Sequence, residues 1–141
     1  MLDSLLHPIN DITTTPTQPV TYLIETGNRS LDELNRYDTA IHQVKQHPDV
    51  QPLVYSDSYN NDEVWNTVKS HVNQHKWEII KIDDTIKKIQ CIDTTPLMKF
   101  KDDIIIELRR GTTQNTIEIR SKSRVGKSDM GVCNIHSCDI L

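Results

Sequence analysis

The spacing of apolar residues changes near the middle of the chain, from three or four residues to two. Leu31, Leu34, Tyr37, Ile41 and Val44 follow helical spacing, and Pro48 ends that helix by the residue before it. Leu53-Val54-Tyr55 suits a short strand leading into a turn. The polar run Asp57-Ser58-Tyr59-Asn60-Asn61-Asp62 carries turn and N-cap chemistry, because short oxygen-bearing side chains satisfy the free N–H groups of a helix start. Val64, Trp65, Val68 and Val72 then form one stripe, which predicts a helix over residues 62–75.

From Trp77 the β-branched runs 77–82, 86–92, 102–110 and 116–125 are separated by Asp83-Asp84, Thr94-Thr95-Pro96 and Gly111-Thr112-Thr113-Gln114. Short connections favour antiparallel neighbours, so a four-stranded meander is expected. Pairing Arg110 with Asn115 sets Leu108, Ile106 and Ile104 against Ile117, Ile119 and Ser121, with Asp103 against Lys122 on the other face. A slip of one residue puts Ile106 opposite Arg120 and mixes the faces, so the first register is preferred. Ile105 then lies on the polar side, which implies that this face is partly covered.

The expected fold is α+β: a strand, a helix, a four-stranded antiparallel meander and a short C-terminal helix, with the helices on one face of the sheet. Residues 1–30 read as a Thr/Pro-rich arm without periodicity, extended across the surface and anchored by residues such as Ile9, Ile12, Val20 and Tyr22. Residues 31–141 read as a single domain.

Composition narrows the functional classes. The 141 residues suffice for a core without disulfides. A net charge of −4 argues against a general nucleic-acid coat, which needs a basic excess to displace counterions. No run approaches the ~18 apolar residues of a membrane span. The opening Met1-Leu2-Asp3-Ser4-Leu5-Leu6 lacks the basic start of a signal peptide. The expectation is a soluble intracellular protein, peripheral to a membrane or within a large assembly at most. Cys91, Cys133 and Cys138 are then free thiols in a reducing compartment. An abundance of Ile beside the single Ala40 suggests an AT-rich coding sequence, which bears on source and not on function.

Charge concentrates in one segment. Between residues 109 and 127, Arg109, Arg110, Arg120, Lys122, Arg124 and Lys127 stand against the single acid Glu118. Arg120, Lys122 and Arg124 alternate, so they project from one strand face at ~6.8 Å intervals. Gly126 and Ser128 follow, where a sharp turn offers N–H groups and a hydroxyl to an anion. Arg120, Lys122, Arg124, Lys127 and Ser128 are therefore the candidate site for an acidic protein surface, an anionic headgroup, a phosphate or a carboxylate. The simpler account is a ladder of structural ion pairs with Lys101, Asp102, Asp103 and Glu107. Site and ladder look alike in sequence.

Other motifs fail on their own chemistry. Gly126-Lys127-Ser128 is no phosphate loop, since Ser121 stands where its first glycine belongs. His71 and His75 have zinc spacing but lack the glutamate that completes a metalloprotease motif. Cys133, His136 and Cys138 match no zinc module. Asp102 and Asp103, as strand neighbours, point to opposite faces and do not converge. No serine or cysteine has a recognisable nucleophile elbow. No metal, cofactor or catalytic group is expected.

Phe100-Lys101-Asp102-Asp103, followed by Arg120-Ser121-Lys122-Ser123-Arg124-Val125-Gly126-Lys127-Ser128-Asp129-Met130-Gly131, resembles the paired signature of domain-of-unknown-function family 1499. The segments Ile9–Thr14, His47–Leu53, Trp77–Ile80 and Asp93–Pro96 are similar to further blocks of that family. The resemblance implies no established activity. Many bacterial members place membrane-spanning segments before this domain, whereas this chain starts at the domain itself. Family members typically continue with an Asn and a basic helix. Here Cys133 takes the Asn position, and Ile135, His136 and Cys138 stand where basic residues are common. If those family residues complete an anion site, part of it is lost here.

The resulting expectation is a non-catalytic binding or assembly module, docking an acidic partner through the basic strand. The alternative is a small-molecule or lipid carrier with an apolar ligand between sheet and helix; an enzyme of unrecognised type comes third.

Overall fold

The alternating half of the chain folds as its period requires. In the computed structural model, which describes residues 10–27, 29–97 and 99–124, the elements are β1 (Asp11–Thr13), α1 (Leu31–Asn35), α2 (Ala40–Gln46), β2 (Leu53–Tyr55), α3 (Asn61–Gln74), β3 (Glu78–Asp83), β4 (Lys88–Thr94), β5 (Lys101–Arg110) and β6 (Asn115–Ser123). The class is α+β, and the described residues form three helices and an antiparallel sheet of six strands. β3, β4, β5 and β6 pair in sequence order. Arg110 stands opposite Asn115, Ile106 opposite Ile119 and Asp103 opposite Lys122. That is the register chosen from the faces, and it holds because a slip would bury charge among the isoleucines.

The outer side of β6 is shared by two short strands. β1 pairs with residues 120–122 and β2 with residues 115–117. The chain leaves this edge after Thr13 and returns at Leu53, so the intervening segment crosses one face of the sheet. At the interruption, the buried Glu118 carboxylate accepts hydrogen bonds from the hydroxyls of Thr14, at 2.5 Å, and Thr15.

α3 covers the other face. Asn60 caps it by accepting from the N–H groups of Asp62 and Glu63 at 2.8 and 3.2 Å. Its Trp65, Val68 and Val72 pack with Ile89, Cys91, Ile104, Ile106, Leu108, Ile117 and Ile119. Cys91 is enclosed, and burial pushes its thiol up to about 12. A water-soluble maleimide at neutral pH should therefore leave Cys91 unlabelled until denaturant is added, as read from the mass of the Cys91 peptide. Labelling of the native protein at the denatured rate would contradict this packing.

Two expectations need correction. The helices do not share one face: Leu34 of α1 packs with Val20, Tyr22 and Ile105 on the side opposite α3. Ile105, alone among polar neighbours, supplies the apolar contact that holds α1 there. The single helix expected from Leu31 to Pro48 is also broken, with Arg36 extended at φ −65° and ψ 128°. The carbonyls of Leu34 and Arg36 accept instead from Arg120 and Lys122. α2 is turned over as well. Gln43 is buried and brackets Thr13, accepting its N–H at 3.0 Å and donating to its carbonyl at 2.6 Å, while Ile41 and Val44 face outward. Backbone pairing with β1 outweighed the apolar stripe.

Within the expected arm, Ile12, Val20 and Tyr22 are buried. The expected C-terminal helix lies outside the described residues, as does Ile9. Among the described residues no helix is long and apolar enough to cross a membrane.

Candidate functional site

Even-numbered residues of β6 and odd-numbered residues of β5 face the crossing segment, and they carry most of its anchoring. Arg120 is fully enclosed. Its Nε and Nη2 donate to the two oxygens of Asp11 at 3.0 and 2.8 Å. Nη1 donates to the Val20 carbonyl at 2.9 Å, and Nη2 also to the carbonyls of Leu34 and Arg36, each at 3.0 Å. The guanidinium stands 5.2 Å from the ring centre of Tyr22 and 5.5 Å from that of Tyr37. One side chain thus ties β6 to β1, to the arm and to the end of α1. Burial, then Asp11, raises both phenols, Tyr37 to about 12. Both rings stay neutral, and Tyr22 donates its O–H to the Asp103 carbonyl at 2.6 Å.

Lys122 acts on the same helix end. Its Nζ donates to the carbonyls of Glu33 and Arg36 at 2.7 and 3.0 Å and lies 3.7 Å from Asp11. A cation there satisfies carbonyls that a helix terminus leaves open. Burial lowers its pKa, with Asp11 opposing.

Arg124 and Arg29 converge on Asp103. Arg124 donates from Nε and Nη2 at 3.0 and 2.9 Å, and Arg29 from Nη2 at 2.5 Å. Burial works to raise the Asp103 carboxyl, but the hydrogen bonds from Arg124 and Arg29 outweigh it and hold the group below its ordinary value. Gly27, at φ +59°, belongs to the turn that delivers Arg29, and a Cβ there would stand 3.0 Å from Arg124 Nη1. Glycine is therefore favoured by the backbone angle, and a side chain here would also press on the Arg124 guanidinium.

Exposure separates these cations. The side chain of Arg120 is 0% exposed, Lys122 13%, Arg29 18% and Arg124 23%. The four face two buried carboxylates, Asp11 and Asp103. The most exposed of these cations, Arg29 and Arg124, stand at the end of β6, where Glu78 also acts on Arg124.

Of the other residues singled out from the sequence, Lys101 is exposed, and its carbonyl accepts from the Arg124 N–H at 3.0 Å. Glu107 accepts from Arg109 Nε at 2.5 Å and lies 3.9 Å from Lys88. Asp102 is buried on the face opposite Asp103, aligned with Asp93 and Ser123 on the adjoining strands. Burial raises Asp93, with His75 opposing. Lys127 and Ser128 lie outside the described residues. Among the described residues, no group of three or more His, Cys, Asp or Glu side chains gathers to hold a metal.

Sequence reasoning missed Asp11 and Arg29. Both lie in the segment without periodicity, and the one available signal was electrostatic: a buried arginine on a half-covered face requires an acid from the covering chain.

A second feature is an open groove of about 440 Å³ between β2 and the start of α3, lined mainly by Leu53, Val54, Tyr55, Tyr59 and Val64, with Glu63. Beneath α3, Trp65, Val68 and Val72 are buried against the sheet.

No curated protein matches the chain in comparison. A family model described as "Protein of unknown function (DUF1499)" matches residues 11–135, nearly the full length. The chain belongs to the DUF1499 family.

Proposed function

We propose that this protein is a non-catalytic binding or assembly module that docks an anionic group, presented by an acidic protein surface or a lipid headgroup. The contact is the outer end of β6, where Arg124 and Arg29 share Asp103 and remain partly exposed. The single observation that supports this reading is that pairing: two partly exposed guanidinium groups share one buried carboxylate, with Glu78 the further acid that acts on Arg124. Arg120 and Lys122 serve the docking end indirectly, by fixing the crossing segment that carries Arg29. Lys127 and Ser128 would extend the site along the chain. The non-catalytic character is supported by the way these ionisable side chains are engaged with one another and with backbone carbonyls.

The test is association with phosphatidylglycerol vesicles and with immobilised polyglutamate. The expected result is binding to at least one at low salt, released as the Debye length shrinks to about 8 Å near physiological ionic strength. Arg124→Gln should weaken that binding several-fold while the protein stays folded, since Arg29 still neutralises Asp103. Salt-independent binding, or none to either probe, would contradict the reading.

The carrier reading keeps one observation, the groove beside β2. An apolar ligand beneath α3 is disfavoured by the packed Trp65, Val68 and Val72.

A further inference from the structure

The groove beside β2 adjoins a second opening of about 380 Å³, which shares Val54, Tyr55 and Ser56 with the first and is lined further by Asp57, Thr113, Gln114 and Asn115. Together they run along the outer side of β2, a strand whose pairing among the described residues is with β6 alone. The shared lining is largely apolar, the charged side chains among the described lining residues are Glu63 and Asp57, and Arg110 acts on Tyr55 from nearby.

Asn115 supplies a second, independent observation. It is 3% exposed, and its amide nitrogen donates to Asp57. Its Oδ1, however, has no hydrogen-bond partner among the described residues. A buried carbonyl oxygen without a donor is costly, and a carboxylate beside it makes a cationic donor the natural complement.

We infer that this groove docks an extended, basic segment of a partner protein, laid along the free edge of β2, with a Lys or Arg side chain held by Asp57 and Asn115 Oδ1. Aliphatic side chains of the segment would rest on Val54, Tyr59 and Val64, and a second cation would meet Glu63. Main-chain hydrogen bonds to an open edge supply affinity in such an arrangement, and alternate side chains supply selectivity. The occupant is opposite in charge to the one proposed for the end of β6, so the two sites stand or fall separately.

The experiment is an NMR titration of the ¹⁵N-labelled full chain with the capped peptide Val-Arg-Val-Arg-Val, and with a control carrying Glu in place of Arg. Saturable shifts at Val54, Asp57 and the Asn115 side-chain amide are expected with the basic peptide alone. Asp57→Asn and Glu63→Gln together should weaken binding about tenfold, as for removal of a pair of complementary charges. Glu63→Gln alone, at an exposed position, gives a measurable loss without risk to the fold. The inference is overturned by the absence of a saturable response, by an equal response to the acidic control, or by unchanged affinity in the variants. Arg110, which faces Asn115 across the β5–β6 hairpin, is the competing donor. An Asn115 amide that moves in Arg110→Gln but ignores the peptide would assign the donor to this chain and likewise overturn the inference.

Discussion

Arg120→Met should destabilise the protein by about 3–5 kcal/mol, the range seen when one partner of a buried ion pair is removed. The variant removes the bidentate partner of Asp11, leaving only Lys122 at 3.7 Å, deprives the Val20 carbonyl of its donor, and leaves the Leu34 and Arg36 carbonyls to Lys122 alone. Methionine fills part of the volume but repairs none of these. For a domain of this size the loss corresponds to a fall in Tm of roughly 10–20 °C. Arg120→Lys retains the charge but cannot reproduce a bidentate pair plus three carbonyl bonds, so it should still cost about 2 kcal/mol. Urea unfolding of the three proteins checks both figures. A loss below about 1 kcal/mol for Arg120→Met would mean that the crossing segment is held by something else.

Asp103→Asn comes next, and its signature is in the pH dependence. The folded protein holds Asp103 below its ordinary pKa, because Arg124 and Arg29 outweigh the effect of burial. A depressed carboxylate contributes stability that is fully present above its unfolded pKa of about 4 and is lost as pH falls through the lower folded value. The asparagine variant lacks that contribution at every pH. At neutral pH it should be less stable by about 2–4 kcal/mol, with Arg29 and Arg124 left facing each other. As the solution is acidified below about pH 4, the stabilities of wild type and variant should converge. Parallel curves through that range would show that Asp103 is not the carboxylate that balances the two arginines.

The sequence was most legible where one face of a strand had to be apolar. Ile104, Ile106 and Leu108 could sit opposite only Ser121, Ile119 and Ile117 without mixing the faces, and that register is observed. The helix of Val64, Trp65, Val68 and Val72 was equally plain, because its stripe meets a large apolar surface. The segment from Leu31 to Pro48 departs from the single helix its spacing predicts for a physical reason. Its stripe had helical period, but Gln43 pairs with the Thr13 backbone, and Arg120 and Lys122 take the carbonyls at the end of α1. Interactions that non-local have no local signature.

The basic strand was visible as charge, but the division of labour within it was not. Arg120 and Arg124 alternate identically in sequence, yet one is sealed beneath residues 20–37 and the other stands at the open end of the strand. Asp11 and Arg29, which decide that difference, come from parts of the chain with no periodicity to betray their position.

Under the proposed function, β6 divides its arginines between an internal latch and an external docking end. The most direct measurement follows the arginine Nε–Hε resonances of the ¹⁵N-labelled protein as phosphatidylglycerol nanodiscs or polyglutamate are added at low salt. The account predicts that Arg124 and Arg29 shift saturably, while Arg120 keeps its position and remains protected from solvent exchange. A shift at Arg120, or saturable binding that leaves Arg124 and Arg29 untouched, would contradict it.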